Sequence, residues 1–258
     1  MAVEYSREGA LGFVTLNRPP ANSYEITFME ALGRAIDAAA TDPACRAVIV
    51  RSALEKVFCA GADIKAFSES TPEQNMEMCR LAHRTLGRIA AIPKVFIAQI
   101  AGHALGGGLE IALACDLRFG AEGAYQLGVP EVTLGLLPGN GGTQRLPRLI
   151  GWSRALDLMI TGRRVGPAEA HALGLLDRLV PADRLEAETR AYAQALADGS
   201  ASAIGAIKLA VHQGRERALD DGLRIERELL DGLFRSADGQ EGVRAFVEKR
   251  KPQFARAP

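Results

Sequence analysis

The chain has 258 residues, 48% hydrophobic and 24% charged, which is enough to bury a full core in one domain with a smaller appendage. Thirty-one Lys and Arg balance thirty-one Asp and Glu, so no overall field draws in DNA, RNA or an anionic membrane, and a polyanionic ligand must be met by local groups. Cys45, Cys59, Cys79 and Cys115 are widely spaced and form no Cys-x-x-Cys, which argues against a disulfide framework and against a structural zinc site, and no metal is expected. The opening MAVEYSREGA carries acid and lacks an apolar signal core, and no segment approaches the ~20 apolar residues of a membrane span, so a cytoplasmic location is expected.

In chain order, short β-rich runs are predicted at 11–16, 46–51, 95–101, 116–119 and 125–127. Helical patterns separate several of them, one over 28–40 that ends before Pro43 and one over 72–91 that ends before Pro93. Strands alternating with helices indicate an α/β domain with largely parallel pairing. After Pro147 the pattern changes: 153–160, 167–173, 182–197, 203–213 and 219–234 all read as helices, so the C-terminal third is expected to be a helical appendage. Apolar positions on these helices hint at subunit contacts. No low-complexity tract and no sequence repeat is found.

Three glycine-containing segments stand out: FCAGADIK (58–65), GHALGGGLE (102–110) and GLLPGNGG (135–142). Glycine lets the backbone approach a ligand and turn its N–H groups outward, although each segment alone also reads as a simple turn. Gly102, Gly106 and Gly108 fit the Gly-x-x-x-Gly-x-Gly turn of short-chain dehydrogenases, and the segment follows a strand as a dinucleotide loop does. Those enzymes need a Tyr-x-x-x-Lys pair. Four residues beyond Tyr5, Tyr24, Tyr125 and Tyr192 stand Gly9, Phe28, Val129 and Leu196, and the loop falls mid-chain, so an oxidoreductase is disfavoured.

There is no Gly-x-Ser-x-Gly elbow, no Walker loop and no His-Glu-x-x-His, and His83, His103, His171 and His212 are scattered. Carboxylate chemistry remains. Glu110 leads into Ile111-Ala-Leu-Ala-Cys115, a helix start apolar on every side and therefore expected to be buried. It either complements the helix dipole, an effect of about 0.3–1 kcal/mol, or serves as an acid–base group whose pKa burial has raised. Glu131 follows Pro130 at another helix start, where Pro then Glu is a common first-turn pair, yet its neighbourhood from Leu127 to Gly139 is mostly apolar.

At this point FCAGADIK, GHALGGGLEIALACDLRF, LGVPEVTLGLLPGNGGTQRLPRLIG and the final AFVEKRKPQF resemble, in order and over most of the chain, the crotonase (enoyl-CoA hydratase/isomerase) family. The resemblance implies an α/β spiral of repeated ββα units over 1–195 and a helical region over 196–258 used in trimerisation, assembling a homotrimer or a hexamer of two trimers. It implies an oxyanion hole from the N–H groups of Ala62 and Gly107, catalytic carboxylates at Glu110 and Glu131, and a water site lined by Gly139. Coenzyme A, part of the substrate with no separate cofactor, would meet Ala60 and Ile64 with its adenine. Its phosphates would meet Lys65, Lys56 and a neighbouring subunit's Lys249.

Hydration of a trans-2-enoyl-CoA to the 3-hydroxyacyl-CoA is the reaction this implies, since isomerases of the family generally keep one of the two glutamates. Double-bond isomerisation and hydration of a branched substrate such as 3-methylglutaconyl-CoA are the alternatives. One branch of the family binds RNA, but zero net charge and the lack of a dense basic helix disfavour that here. The acyl-pocket wall is expected from 67–86, including Met76 and Met78, and does not reveal the acyl group.

Overall fold

The computed structural model describes residues 2–254. β1 (Val3–Glu8) and β2 (Leu11–Leu16) form an antiparallel hairpin, and α1 (Ile26–Thr41) packs back on it through Phe28, Met29, Leu32 and Ile36. The next unit is β3 (Ala47–Ser52), β4 (Val57–Cys59), α2 (Ile64–Glu69) and α3 (Pro72–Ile89). A third is β5 (Val95–Ile100), β6 (His103–Leu105) and α4 (Gly107–Ala114), followed by β7 (Leu117–Ala121), β8 (Leu127–Gly128) and a 3-10 turn over Glu131–Leu134.

The first strand of each unit joins a six-stranded sheet ordered β1-β2-β3-β5-β7-β9, where β9 is Arg178–Val180. The second strand joins a small sheet ordered β4-β6-β8. From β2 onward the named strands all pair in parallel, so the chain winds as a spiral of ββα units, as the family resemblance implies. Ala47 to Val50 are buried without alternation, the pattern of a parallel strand covered on both faces. Five phenylalanines, Phe13, Phe28, Phe58, Phe96 and Phe119, are fully buried between sheet and helices, and removing such a ring typically costs about 3–5 kcal/mol.

The start of α3 shows local chemistry at work. Thr71 Oγ1 accepts from Gln74 N–H, the Gln74 side chain accepts from Thr71 N–H, and Pro72 occupies the first helical position.

The region after Pro147 is not wholly an appendage. α5 (Gly142–Ile150) carries Pro147 inside it and is followed by α6 (Trp152–Thr161) and α7 (Pro167–Ala172). β9 then extends the large sheet by pairing with β7, where Arg118 and Asp177 form an ion pair at 2.7 Å. α8 (Leu185–Ala197) lies across β2, β3, β5 and β7 and buries Leu185, Ala193 and Ala197, so it belongs to the core layer.

Beyond it, α9 (Ala201–Gly214), α10 (Leu219–Arg235) and α11 (Ala237–Val247) pack on one another. Lys208 of α9 docks this group on the sheet, donating to Lys94 O at 2.7 Å and pairing with Asp116 at 2.8 Å. The expected helical region 196–258 includes four residues, 255–258, that lie outside the described ones. Among the described residues no helix is long and apolar enough to cross a membrane.

Candidate active site

The start of α4 is built so that backbone lies against backbone. Gly106 has φ 53°, and a Cβ on Gly108 would fall 2.0 Å from the Cys59 carbonyl oxygen, so neither position accepts a side chain without displacement. The turn therefore seats α4 directly on β4. Beside it stands the segment at 60–63, held by a parallel bridge in which Tyr24 N–H donates to Gly61 O and Asp63 N–H to Tyr24 O, both at 2.9 Å. A Cβ on Gly61 would lie 3.4 Å from Gly107 N, which places Ala62 next to the first residue of α4. Among the described residues, neither Ala62 N–H nor Gly107 N–H finds an acceptor in the chain.

Glu110, in the first turn of α4, is 1% exposed. Its Oε1 accepts from Asn140 N–H and Gly142 N–H, each at 2.7 Å, so the loop before α5 clamps one carboxylate oxygen. Burial pushes its pKa up to about 7, aided by the charge of Glu131 and opposed by the Gly142 and Asn140 N–H groups and by Arg145. Glu131 opens the 3-10 turn after β8, and its Oε1 would lie 3.0 Å from a Cβ on Gly106. Among the described residues its buried Oε2 has no hydrogen-bond partner, and burial raises its pKa as well.

Gly139 neighbours this pair, since the adjacent Asn140 holds Glu110, and its carbonyl oxygen lies 2.7 Å from His83 Nε2. Cys79 Sγ is 3.5 Å from where a Gly139 Cβ would stand, so α3 faces the loop while Met76 projects outward, 53% exposed. Ala60 donates its N–H to Ala21 O, and Ile64 and Lys65 open α2 on the exposed side of the Ala62 segment. Lys56 is exposed at the entry to β4, and its carbonyl accepts from His103 N–H. Lys249 lies past the end of α11, exposed, and among the described residues no hydrogen bond or ion pair joins its side chain to the others.

Thus Glu110, Glu131, Ala62, Gly107 and Gly139 meet at one helix start, whereas Lys249 stands apart within a single chain. Two residues that the sequence did not single out join them: Asn140, through its bond to Glu110, and Tyr24, whose hydroxyl accepts from Asn140 Nδ2. The mostly apolar run around Pro138-Gly-Asn-Gly-Gly was the available signal for Asn140. Paired carboxylates with raised pKa values beside two outward N–H groups can exchange protons near neutrality and stabilise an oxyanion.

A spiral of parallel ββα units carrying a glycine-lined helix start on its small sheet is the fold of the crotonase class. The chain belongs to the enoyl-CoA hydratase/isomerase family, whose model matches residues 6–257, and it is an enzyme of that family. It is 43% identical over 249 residues to a Mycobacterium tuberculosis protein named a probable enoyl-CoA hydratase, covering 96% of this chain and 95% of the relative. The crystal structure of an enoyl-CoA hydratase from Geobacillus kaustophilus superposes with TM-score 0.96 at 44% identity, covering 98% and 96% of the two chains. One from Bacillus anthracis does so with TM-score 0.94 at 36% identity over the whole of both chains.

Proposed function

We propose that the protein hydrates trans-2-enoyl-CoA thioesters to 3-hydroxyacyl-CoA. The observation that carries this reading is the pairing of two pKa-raised carboxylates, buried Glu110 and half-buried Glu131 with its Oε2 shielded, at the helix start that presents Gly107 N–H. A double-bond isomerisation moves one proton and needs one carboxylate, whereas adding water needs a base for the water and an acid for the α-carbon, so the pair favours hydration.

In the proposed mechanism ionised Glu110 holds a water beside Gly139 and takes its proton as the water oxygen bonds to the β-carbon. The C=C electrons pass to the α-carbon and thioester oxygen, whose charge the Ala62 and Gly107 N–H groups stabilise; losing one such donor typically costs about 2.7–4 kcal/mol. Protonated Glu131 then delivers its proton to the α-carbon. Coenzyme A would lie along Ala60 and Ile64 with its phosphates near Lys65, Lys56 and Lys249 of a neighbouring subunit, and no separate cofactor takes part.

The test is the loss of ultraviolet absorbance of crotonyl-CoA, followed by a series of enoyl-CoAs varied in length and branching. Turnover is expected without added metal or nucleotide, because the acid, the base and the N–H donors are all in the chain. Turnover of none of the series, or its disappearance with chelator, overturns the reading.

The proposed assembly is a trimer or a hexamer of two trimers in the cytoplasm. Its support is the apolar surface of the last helices, where Leu219, Phe234, Val243, Phe246 and Val247 are each at least 64% exposed. Light scattering is expected to give a mass of three or six chains, and deleting the chain from Leu219 onward is expected to dissociate it. A stable, active monomer of the full chain refutes the assembly.

A further inference from the structure

Tyr24 is a buried phenol, 4% exposed, that the hydration mechanism above does not use. It reaches three parts of the site. Its backbone N–H and C=O fix the Gly61 to Asp63 segment that carries Ala62. Its hydroxyl lies where a side chain on Gly107 would begin, since a Cβ there would fall 1.7 Å from the phenol oxygen. The same hydroxyl accepts from Asn140 Nδ2, and Asn140 N–H donates to Glu110 Oε1 at 2.7 Å.

The Asn140 side chain, itself 5% exposed, is thus anchored at one end by Tyr24 and passes that anchorage to Glu110 through its own backbone. We infer that Tyr24 and Asn140 form a positioning pair that fixes the Glu110 carboxylate and, in one rigid unit, the spacing of the Ala62 and Gly107 N–H donors. This inference rests on the hydratase reading for its chemistry, though not for its geometry.

A phenol in this place suits the task. It is rigid with two side-chain torsions, it fills the space that Gly107 leaves, and its burial and the surrounding carboxylates keep it protonated, far above its usual range. A hydrogen bond to a neutral phenol oxygen holds the carboxamide without adding a charge beside Glu110. The groups that face Glu110 are Glu131, Arg145 of α5, Cys79 of α3 and Tyr24, and Cys59 of β4 faces Tyr24. Of these, Tyr24 and Arg145 are both tied to Glu110 through Asn140: Arg145 Nη1 donates to the Asn140 carbonyl at 2.9 Å, and Tyr24 holds the Asn140 side chain.

Tyr24→Phe keeps the ring and the backbone bridge and removes only the oxygen. With the Asn140 anchor gone, its N–H holds the ionised carboxylate less firmly, so the pKa of Glu110 rises. The expected result is a fall in kcat for crotonyl-CoA of about 10- to 100-fold with KM within about threefold of wild type, and a rising limb of the pH profile displaced to higher pH. Asn140→Ala is expected to do the same, and the double variant is expected to be no worse than the worse single, because both remove one interaction.

Tyr125→Phe is the control for loss of a buried phenol oxygen. Its hydroxyl donates to Ala121 O at 2.8 Å away from the site, so its pH limb is expected to stay in place. Carboxyl carbon NMR of labelled Glu110 in the resting protein reads the same displacement without turnover. Wild-type kinetics together with an unmoved Glu110 titration in Tyr24→Phe overturns the pair, as do losses that multiply in the double variant. Wild-type protein inert on every enoyl-CoA overturns the hydratase reading instead, and the titration still decides on the pair.

Discussion

Glu110→Gln is expected to lower kcat for crotonyl-CoA hydration by about 10³- to 10⁴-fold while KM and CoA binding stay near wild type. Gln offers the same oxygen to Asn140 N–H and Gly142 N–H, so the loop keeps its position, but the amide takes no proton from water. The wild-type rate is expected to rise with pH through about 7, where Glu110 ionises, and that limb is expected to vanish in the variant.

Stability moves the other way. The folded pKa of Glu110 is raised above the ordinary carboxylate value, so between about 4.5 and 7 the folded protein binds more protons than the unfolded chain and loses stability as pH rises. The cost is fully present above 7. Glu110→Gln is therefore expected to melt at or above the wild-type temperature at pH 8, with that margin shrinking as pH falls toward 4.5. A variant that keeps its turnover, or that melts well below wild type at pH 8, would show Glu110 to be a structural group.

The parts of this site legible in the sequence are those where chemistry and unusual composition coincide. A lone carboxylate in the apolar run Leu109 to Cys115 reads directly as buried, and Glu110 is. The large-sheet strands were readable because Leu11–Leu16, Ala47–Ser52 and Val95–Ile100 are long and apolar. β4, β6 and β8 have only two or three residues each, too few for any period to show, so of the small sheet that seats α4 only the 125–127 run, which overlaps β8 at Leu127, was read as a strand. The ββα repeat was hidden for a related reason: its units share backbone geometry and no sequence pattern.

α5 was missed because Pro147 reads as a breaker, although the helix tolerates it one turn in. Tyr24 was legible only as a tyrosine without a lysine four residues on. Its role depends on a contact with Asn140, 116 positions away, which no local pattern encodes.

Glu131→Gln separates the two carboxylates. If Glu131 serves the α-carbon, it removes that proton from a saturated acyl-CoA in its ionised form, leaving an enolate that the Ala62 and Gly107 N–H groups hold until a deuteron returns from deuterated water. No attacking water takes part in this exchange. Glu131→Gln is therefore expected to suppress α-proton exchange and hydration alike, by about 10³- to 10⁴-fold, whereas Glu110→Gln suppresses hydration and spares much of the exchange.

Because burial raises the Glu131 pKa, its ionised form appears only above the ordinary carboxylate range, and exchange is expected to rise with pH there. The double variant is expected to hydrate little worse than either single, since two groups that act in one step lose their joint contribution when the first is removed. Losses that multiply in the double variant would mean two independent steps. Exchange and hydration both intact in Glu131→Gln would make Glu131 a helix-start residue with an idle buried oxygen, and a one-carboxylate isomerase would then account for the site better than a hydratase.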